Sequence, residues 1–317
     1  MDILKHTQDP EKEALQSPRR KFLAKSAGWL AGAATACTVG LPRLFGGEVA
    51  KPGRNSDMDL YELFDCHLHG PAESGEQWQW HKVTHNFEDF VRFLDKTGVK
   101  RGIINSQRSY AARPEEFIAG NREVARYVEK YKGRFMGACV VNPQFIEEAL
   151  GELEYCRKQL GFVWVGELCN YMVPYEYTIR EFDMLVDQVK RLNMVLSLHT
   201  EQGEMKYIAD KFPDATIAFA HFGDDHEYED IFKRIDLVAR NPNFYLDTSG
   251  YGHDRVGVLE YAVSAIGPDR VLFGSDFSIN DPGTVIARIK NAFLTEEQKQ
   301  KIFAGNLETL LEKVKLA

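Results

Sequence analysis

The sequence has 317 residues, of which 44% are hydrophobic and 27% charged. This balance is typical of a globular protein with a large core and excludes a disordered or collagen-like chain. The formal net charge is -8 at pH 7, so nucleic acid, which requires a basic surface, is not expected as a partner. The five cysteines include no Cys-x-x-Cys pair, which argues against a disulfide framework or a thiolate zinc site.

The N-terminal segment has the features of an export signal. Arg19 and Arg20 precede an uncharged stretch, Ser26 to Pro42, that is rich in Gly, Ala and Thr. This stretch is too short and too polar for a comfortable membrane span, which needs ~20 apolar residues. The segment resembles a bacterial twin-arginine signal, so residues 1–50 are interpreted as a signal peptide and linker, cleaved after about residue 36 or 50. We therefore expect a periplasmic or otherwise extracytoplasmic protein that meets the twin-arginine export machinery, with an uncleaved N-terminal anchor as the alternative.

Beyond this leader, short apolar runs alternate with amphipathic stretches long enough to form crossover helices. Eight strand–helix units predict an α/β protein with one (β/α)8 TIM barrel at residues 51–317. An open doubly wound sheet is the alternative, but no Gly-x-Gly-x-x-Gly follows the first run. Residues Glu296–Val314 are predicted as extra C-terminal helix packed on the outside. The predicted strands are Leu60–Cys66, Arg101–Asn105, Phe135–Val141, Phe162–Glu167, Met194–His199, Thr216–His221, Phe244–Asp247 and Val271–Gly274.

Histidines and carboxylates stand at the ends of several predicted strands. His67 and His69 alternate along one strand direction, so both side chains lie on one face and can approach one ion. The carboxyl ends of barrel strands meet at a common mouth, where residues distant in sequence converge. Imidazole with carboxylate suits Zn, Mn, Fe or Co, so the pattern predicts a catalytic metal site. The candidate ligands are His67, His69, Glu167, His199, His221 and Asp276.

This arrangement resembles the amidohydrolase superfamily, and within it the amidohydrolase-related group that also contains nonoxidative decarboxylases. The matching residues are His67-x-His69, His199, His221 and the Asp276 of Phe273-Gly274-Ser275-Asp276, and the resemblance covers about Leu60 to Val314. It implies that His67, His69 and Asp276 bind one divalent ion, with His199 joining them or holding a second ion.

Two further roles depend on the number of ions. The resemblance makes His221 a ligand of the second metal or, with one metal, a proton donor and acceptor near the substrate. Many relatives place a carboxylated lysine on strand four, where this sequence has Glu167, and a glutamate there can bridge two ions directly.

The favoured function is a metal-dependent hydrolase that cleaves an amide, ester or lactone bond with metal-activated water, zinc being the favoured ion. Asp276 would take the proton and His221 would stabilise the oxyanion. The alternative is a mononuclear nonoxidative decarboxylase of an aromatic or unsaturated acid, in which His221 or Asp276 moves a proton to carbon. Glu167 favours hydrolysis, because a bridging carboxylate implies two ions. A third hypothesis is an inactive barrel that only binds a ligand.

Three residues are predicted to contact a small-molecule substrate. Arg108, after strand two, could clamp a carboxylate in bidentate fashion. Trp80 lies in the long segment after strand one and could form a lid or an aromatic wall over the mouth. Tyr171 lies on the loop after strand four. Whether the chain forms a homo-oligomer is left open.

Overall fold

The computed structural model describes residues 60–73, 86–111, 113–223 and 228–315, which belong to one compact unit, Arg54–Ala317. The predicted signal peptide and Trp80 lie outside these residues. Within them, every helix is too short or too polar to meet the requirements of a membrane span.

Eight parallel strands pair in chain order and are followed, one by one, by helices. The ring is closed by contacts between the first strand and the segment after the eighth, such as the 2.9 Å hydrogen bond from Cys66 N–H to the Phe273 carbonyl. The prediction of a (β/α)8 TIM barrel is therefore confirmed. The strands are β1 (Phe64–Gly70), β2 (Arg101–Ser106), β3 (Phe135–Cys139), β4 (Trp164–Cys169), β5 (Val195–His199), β6 (Ile217–Phe219), β7 (Phe244–Asp247) and β8 (Val271–Leu272).

Local sequence signals set the helix limits. The first helix begins after Asn86, whose side chain accepts a hydrogen bond from Asp89 N–H at 2.8 Å, and ends at Gly98, whose φ of 84° suits glycine. The second begins with Pro114, which lacks the N–H that a helix leaves unpaired there. The helices are α1 (Phe87–Thr97), α2 (Pro114–Lys130), α3 (Ile146–Gln159), α4 (Arg180–Arg191), α5 (Gln202–Lys211), α6 (Tyr228–Arg240), α7 (Val258–Ile266), α8 (Pro282–Lys290), α9 (Glu296–Gln300) and α10 (Asn306–Lys315).

The C-terminal helices pack against the barrel, as extra helices beyond the eight units. Leu307, Leu310 and Leu311 of α10 form one buried cluster with interior side chains of the barrel, among them Phe64 and Trp164 at the starts of β1 and β4. This segment, predicted as one stretch, is α9, a π-helical turn at Lys301–Gly305 and α10. It covers the amino-terminal end of the barrel, so a reaction site is expected at the carboxyl-terminal end.

Of the strands, β1 and β4 differ most from their predicted limits, and both carry residues of the site. β1 begins four residues later than predicted, with Leu60 67% exposed, and continues through His69 to Gly70. Its pairing with β2 shifts register between Asp65 and Leu68, and β4 shows the same irregularity between Val165 and Leu168. Such bulges redirect side chains, and His67 and Glu167 lie within these two irregular segments.

Candidate metal centre

The six predicted ligands lie together at the carboxyl-terminal end of the barrel. Five of them are buried, and His199 is partly buried. His67 and His69 come from β1, Glu167 from the bulge of β4, and His199 from the last position of β5. His221 and Asp276 follow β6 and β8 with positive φ values of 63° and 61°. A positive φ raises the energy of a residue other than glycine. Residues with such strained backbone cluster at functional sites.

One half of the centre contains His67, His69, Asp276 and one oxygen of Glu167. The Nε2 atoms of the two histidines are 3.1 Å apart. Asp276 Oδ1 lies 3.0 Å from His69 Nε2, and Glu167 Oε2 lies 3.4 Å from His67 Nε2. Two nitrogens and two carboxylate oxygens thus face one point.

The other half uses the second oxygen of Glu167. Glu167 Oε1 lies 2.9 Å from His199 Nδ1 and 3.5 Å from His221 Nε2, and those two nitrogens are 3.1 Å apart. This centre therefore contains two groups of side chains that can bind a metal ion, with Glu167 common to both.

Two residues outside the predicted ligand set orient the β1 histidines. Asp247, at the end of β7, lies 3.0 Å from His67 Nδ1, and Asn105 Oδ1 lies 3.0 Å from His69 Nδ1. Asn105 is oriented by its amide nitrogen, which donates to Tyr110 Oη at 3.0 Å. Both acceptors require a proton on Nδ1, so Nε2 is the nitrogen that each histidine turns toward the centre. Asp247 had a sequence signal, since it ends a predicted strand.

The charges of these groups control one another. Burial opposes ionisation of Glu167, but His67 and His199 outweigh it and hold the pKa of Glu167 well below its usual range. Burial also opposes protonation of His67, yet Glu167 and Asp247 raise the pKa of His67 well above its usual range. The pKa of His221 is lowered, first by burial and then by His199, so His221 is neutral at pH 7.

The donor set fits a divalent cation. The Nε2 atoms of His67 and His69 face each other at 3.1 Å with carboxylate oxygens beside them, as suits several ligands of one cation. Asp276 Oδ1 points into the same space and is a buried acceptor without a hydrogen-bond partner among the described residues. A mixed imidazole and carboxylate set is the kind that holds Zn, Mn, Fe or Co in open catalytic sites.

Two of the predicted substrate contacts, Arg108 and Tyr171, lie among the described residues. Arg108 lies in the 3-10 turn Gln107–Tyr110, where its guanidinium pairs with Glu116 at 2.8 Å and Glu123 at 3.0 Å. A substrate carboxylate would have to compete with those two carboxylates, so its role as a clamp stays a prediction. The ring of Tyr171 is 61% exposed and meets the ring of His199 edge to face at 4.9 Å.

Sequence comparison places the chain among known enzymes. A family model described as Amidohydrolase matches residues 64–312. The chain is 26% identical over 287 residues to a gamma-resorcylate decarboxylase from Polaromonas sp. strain JS666, a match that covers 72% of this chain and 84% of that protein.

Structure comparison finds the same barrel. A crystal structure of 2,6-dihydroxybenzoate decarboxylase with 2,6-dihydroxybenzoate matches with a TM-score of 0.64 and 17% identity, covering 80% of this chain and 99% of that chain. A dihydroxybenzoic acid decarboxylase from Polaromonas sp. JS666, with manganese and the inhibitor 2-nitroresorcinol, matches with a TM-score of 0.62 and 22% identity, covering 80% and 97%. The resemblance drawn from the motif residues is confirmed, and the chain belongs to the amidohydrolase family.

Proposed function

We propose that this protein is a metal-dependent nonoxidative decarboxylase of an aromatic carboxylic acid that carries ring hydroxyl groups. The observation that carries the proposal is the 26% identity to gamma-resorcylate decarboxylase over most of both chains. The cluster of four imidazoles and two carboxylates supports it, because the chemistry of such acids needs a cation and a movable proton.

The expectation that the chain is a hydrolase of amides, esters or lactones is wrong. The relative from Polaromonas and the two solved structures described above are decarboxylases of gamma-resorcylate or of dihydroxybenzoic acids. The error has a physical cause, since the ligands of the centre specify which ion binds and not which bond breaks. The substrate-binding loops decide the reaction, and their shape is not encoded in the His-x-His and Asp motifs.

The proposed metal ligands are His67, His69 and Asp276, with Glu167 completing the set through Oε2. A divalent ion held there would polarise substrate oxygen atoms as a Lewis acid. Manganese is the first ion to test, because a solved structural neighbour contains it.

The protein's own groups have one task in the reaction, which is to deliver a proton. The bond from the ring carbon to the carboxylate breaks, carbon dioxide leaves, and that ring carbon takes one proton. Asp276 and His221 are the two groups at the mouth that can move it, since both are buried and both face the same space as the metal ligands. Asp276 is steadied by Asn280, whose amide donates to Oδ2 at 3.0 Å.

The test is release of carbon dioxide from 2,6-dihydroxybenzoate by the manganese-loaded full chain, with benzoate as the control substrate. We expect turnover of the dihydroxybenzoate and loss of turnover in Asp276→Asn, which is nearly isosteric. Absence of carbon dioxide from every hydroxybenzoate tried, with a folded and metal-loaded protein, would contradict the proposal.

We also propose that the chain is exported by the twin-arginine route. The support is the Arg19-Arg20 pair followed by the weakly apolar stretch Ser26 to Pro42. Fractionation of a bacterium that expresses the full chain would test it: replacement of both arginines by lysine should leave the protein in the cytoplasm, and unchanged export of that variant would contradict the proposal.

A further inference from the structure

Ser249 lies directly behind the centre and touches two of its histidines. It follows β7 by two residues and is completely buried. Its Oγ lies 2.8 Å from His221 Nδ1 and 3.0 Å from His67 Nδ1, and it also contacts Asp247 Oδ1 at short range. A hydroxyl has one proton to donate, so these three contacts cannot all receive it.

The hydroxyl of Ser249 donates its one hydrogen bond to Asp247. That carboxylate accepts from His67 Nδ1 at 3.0 Å, from the backbone N–H of Ser249 at 2.9 Å and from the backbone N–H of His221 at 3.2 Å. All three neighbours act as donors, as expected around an ionised carboxylate. Two oxygens in close contact need a proton between them, and the hydroxyl of Ser249 supplies it.

Ser249 Oγ is then left as an acceptor toward both imidazoles. His67 Nδ1 already carries a proton, because it donates to Asp247. His221 Nδ1, at 2.8 Å from Oγ, must carry one as well. Whether Nε2 carries a second proton is decided by its neighbour on the opposite edge of the ring.

The opposite edge of the His221 ring supports the same assignment. His199 Nδ1 donates to Glu167 Oε1 at 2.9 Å and lies 3.1 Å from His221 Nε2. A hydrogen on His221 Nε2 would point at the hydrogen on His199 Nδ1, whereas a lone pair there is attracted to it. The hydrogen-bond networks on the two sides of the ring therefore agree.

We propose that Ser249 is a positioning residue that holds the proton of His221 on Nδ1 and so keeps a lone pair on Nε2, facing the mouth. In that state His221 accepts a proton or binds a cation and does not donate. Within the proposed decarboxylation, on which this consequence rests, Asp276 is left as the group that takes the proton of the substrate's carboxylic acid and passes it to the ring carbon as carbon dioxide leaves.

The assignment is tested by nitrogen NMR of the full chain labelled with 15N-histidine and treated with a chelator. The signals of His221 are identified by their loss in His221→Gln. We expect the wild type to show a protonated Nδ1 and a bare Nε2. Ser249→Ala should populate the opposite tautomer, and Ser249→Thr, which keeps the hydroxyl, should restore the wild-type pattern.

Kinetics of the manganese-loaded enzyme give the second readout. Loss of a group that orients a ligand costs about 10- to 100-fold in activity, so kcat of Ser249→Ala should fall by that factor with KM little changed, and Ser249→Thr should recover most of it. A wild-type His221 protonated on Nε2 would overturn the proposal, even if Ser249→Ala fails to fold. An unchanged tautomer or an unchanged kcat in folded Ser249→Ala would also overturn it. If the wild type decarboxylates no acid, the proposed function fails while the spectra still decide the role of Ser249.

Discussion

Replacement of Gly250 by alanine should reduce activity beyond what backbone strain alone explains. Gly250 has φ of +61°, and a Cβ placed there would lie 2.2 Å from His221 Nδ1. Ordinary contact begins at 3.4 Å, so the imidazole would have to move by about 1 Å. A misplacement of that size in a catalytic group costs about 100-fold in rate.

A matched control separates this displacement from backbone strain. Gly133 also has a positive φ, +78°, but a Cβ there would meet nothing within 4 Å. Both alanine variants should lose about 1–2 kcal/mol of unfolding free energy, because L-residues disfavour left-handed backbone. Only Gly250→Ala should lose about two orders of magnitude in kcat/KM for 2,6-dihydroxybenzoate, measured as carbon dioxide release beside urea unfolding of each variant. Equal activity in the two variants would refute the reasoning.

Three further predictions concern the metal, one ligand and one ion pair. Chelation should abolish activity and lower Tm, and manganese at 100 times its Kd should restore about 2.7 kcal/mol of stability; a Tm independent of manganese would count against the site. Glu167→Gln replaces the carboxylate common to both ligand groups by a neutral amide, so the metal content per chain should fall in elemental analysis. Unchanged metal content would show that Glu167 is not a ligand. The pKa of Glu260 is held below its ordinary 4.5, because Arg288 outweighs the effect of burial. Its stabilising contribution is therefore present above about pH 4.5 and lost as pH falls further, so Arg288→Met should flatten acid unfolding below that pH, and an identical acid transition would contradict this.

The residue patterns predict much of the barrel, because each strand–helix unit is formed by residues that are close together in the sequence. A run such as Phe244–Asp247 has the same limits in sequence and structure, since apolar residues end where the strand leaves the core. β1 was placed too early for the converse reason. His67 and His69 are polar by type but buried by position, so an apolar pattern ends before them although the strand continues.

The convergence of the six candidate ligands could be predicted from the sequence, but the residues that orient them could not. Strand ends converge in any barrel, so candidate ligands follow from register alone. The contact of Ser249 with His67 joins residues 182 positions apart and depends on the bulge in β1, which no local pattern marks. Arg108 shows the same limit, because its pairing with Glu116 and Glu123 depends on how α2 packs.

The position of α10 over the amino-terminal end of the barrel links folding to the order of synthesis. Leu307, Leu310 and Leu311 complete a cluster begun by Phe64 and Trp164, which the ribosome delivers more than a hundred residues earlier. Until residues 306–315 emerge, those aromatic side chains have no cover on that side and expose apolar surface to chaperones. A stalled or truncated nascent chain would thus carry every residue of the metal centre and still lack a closed core.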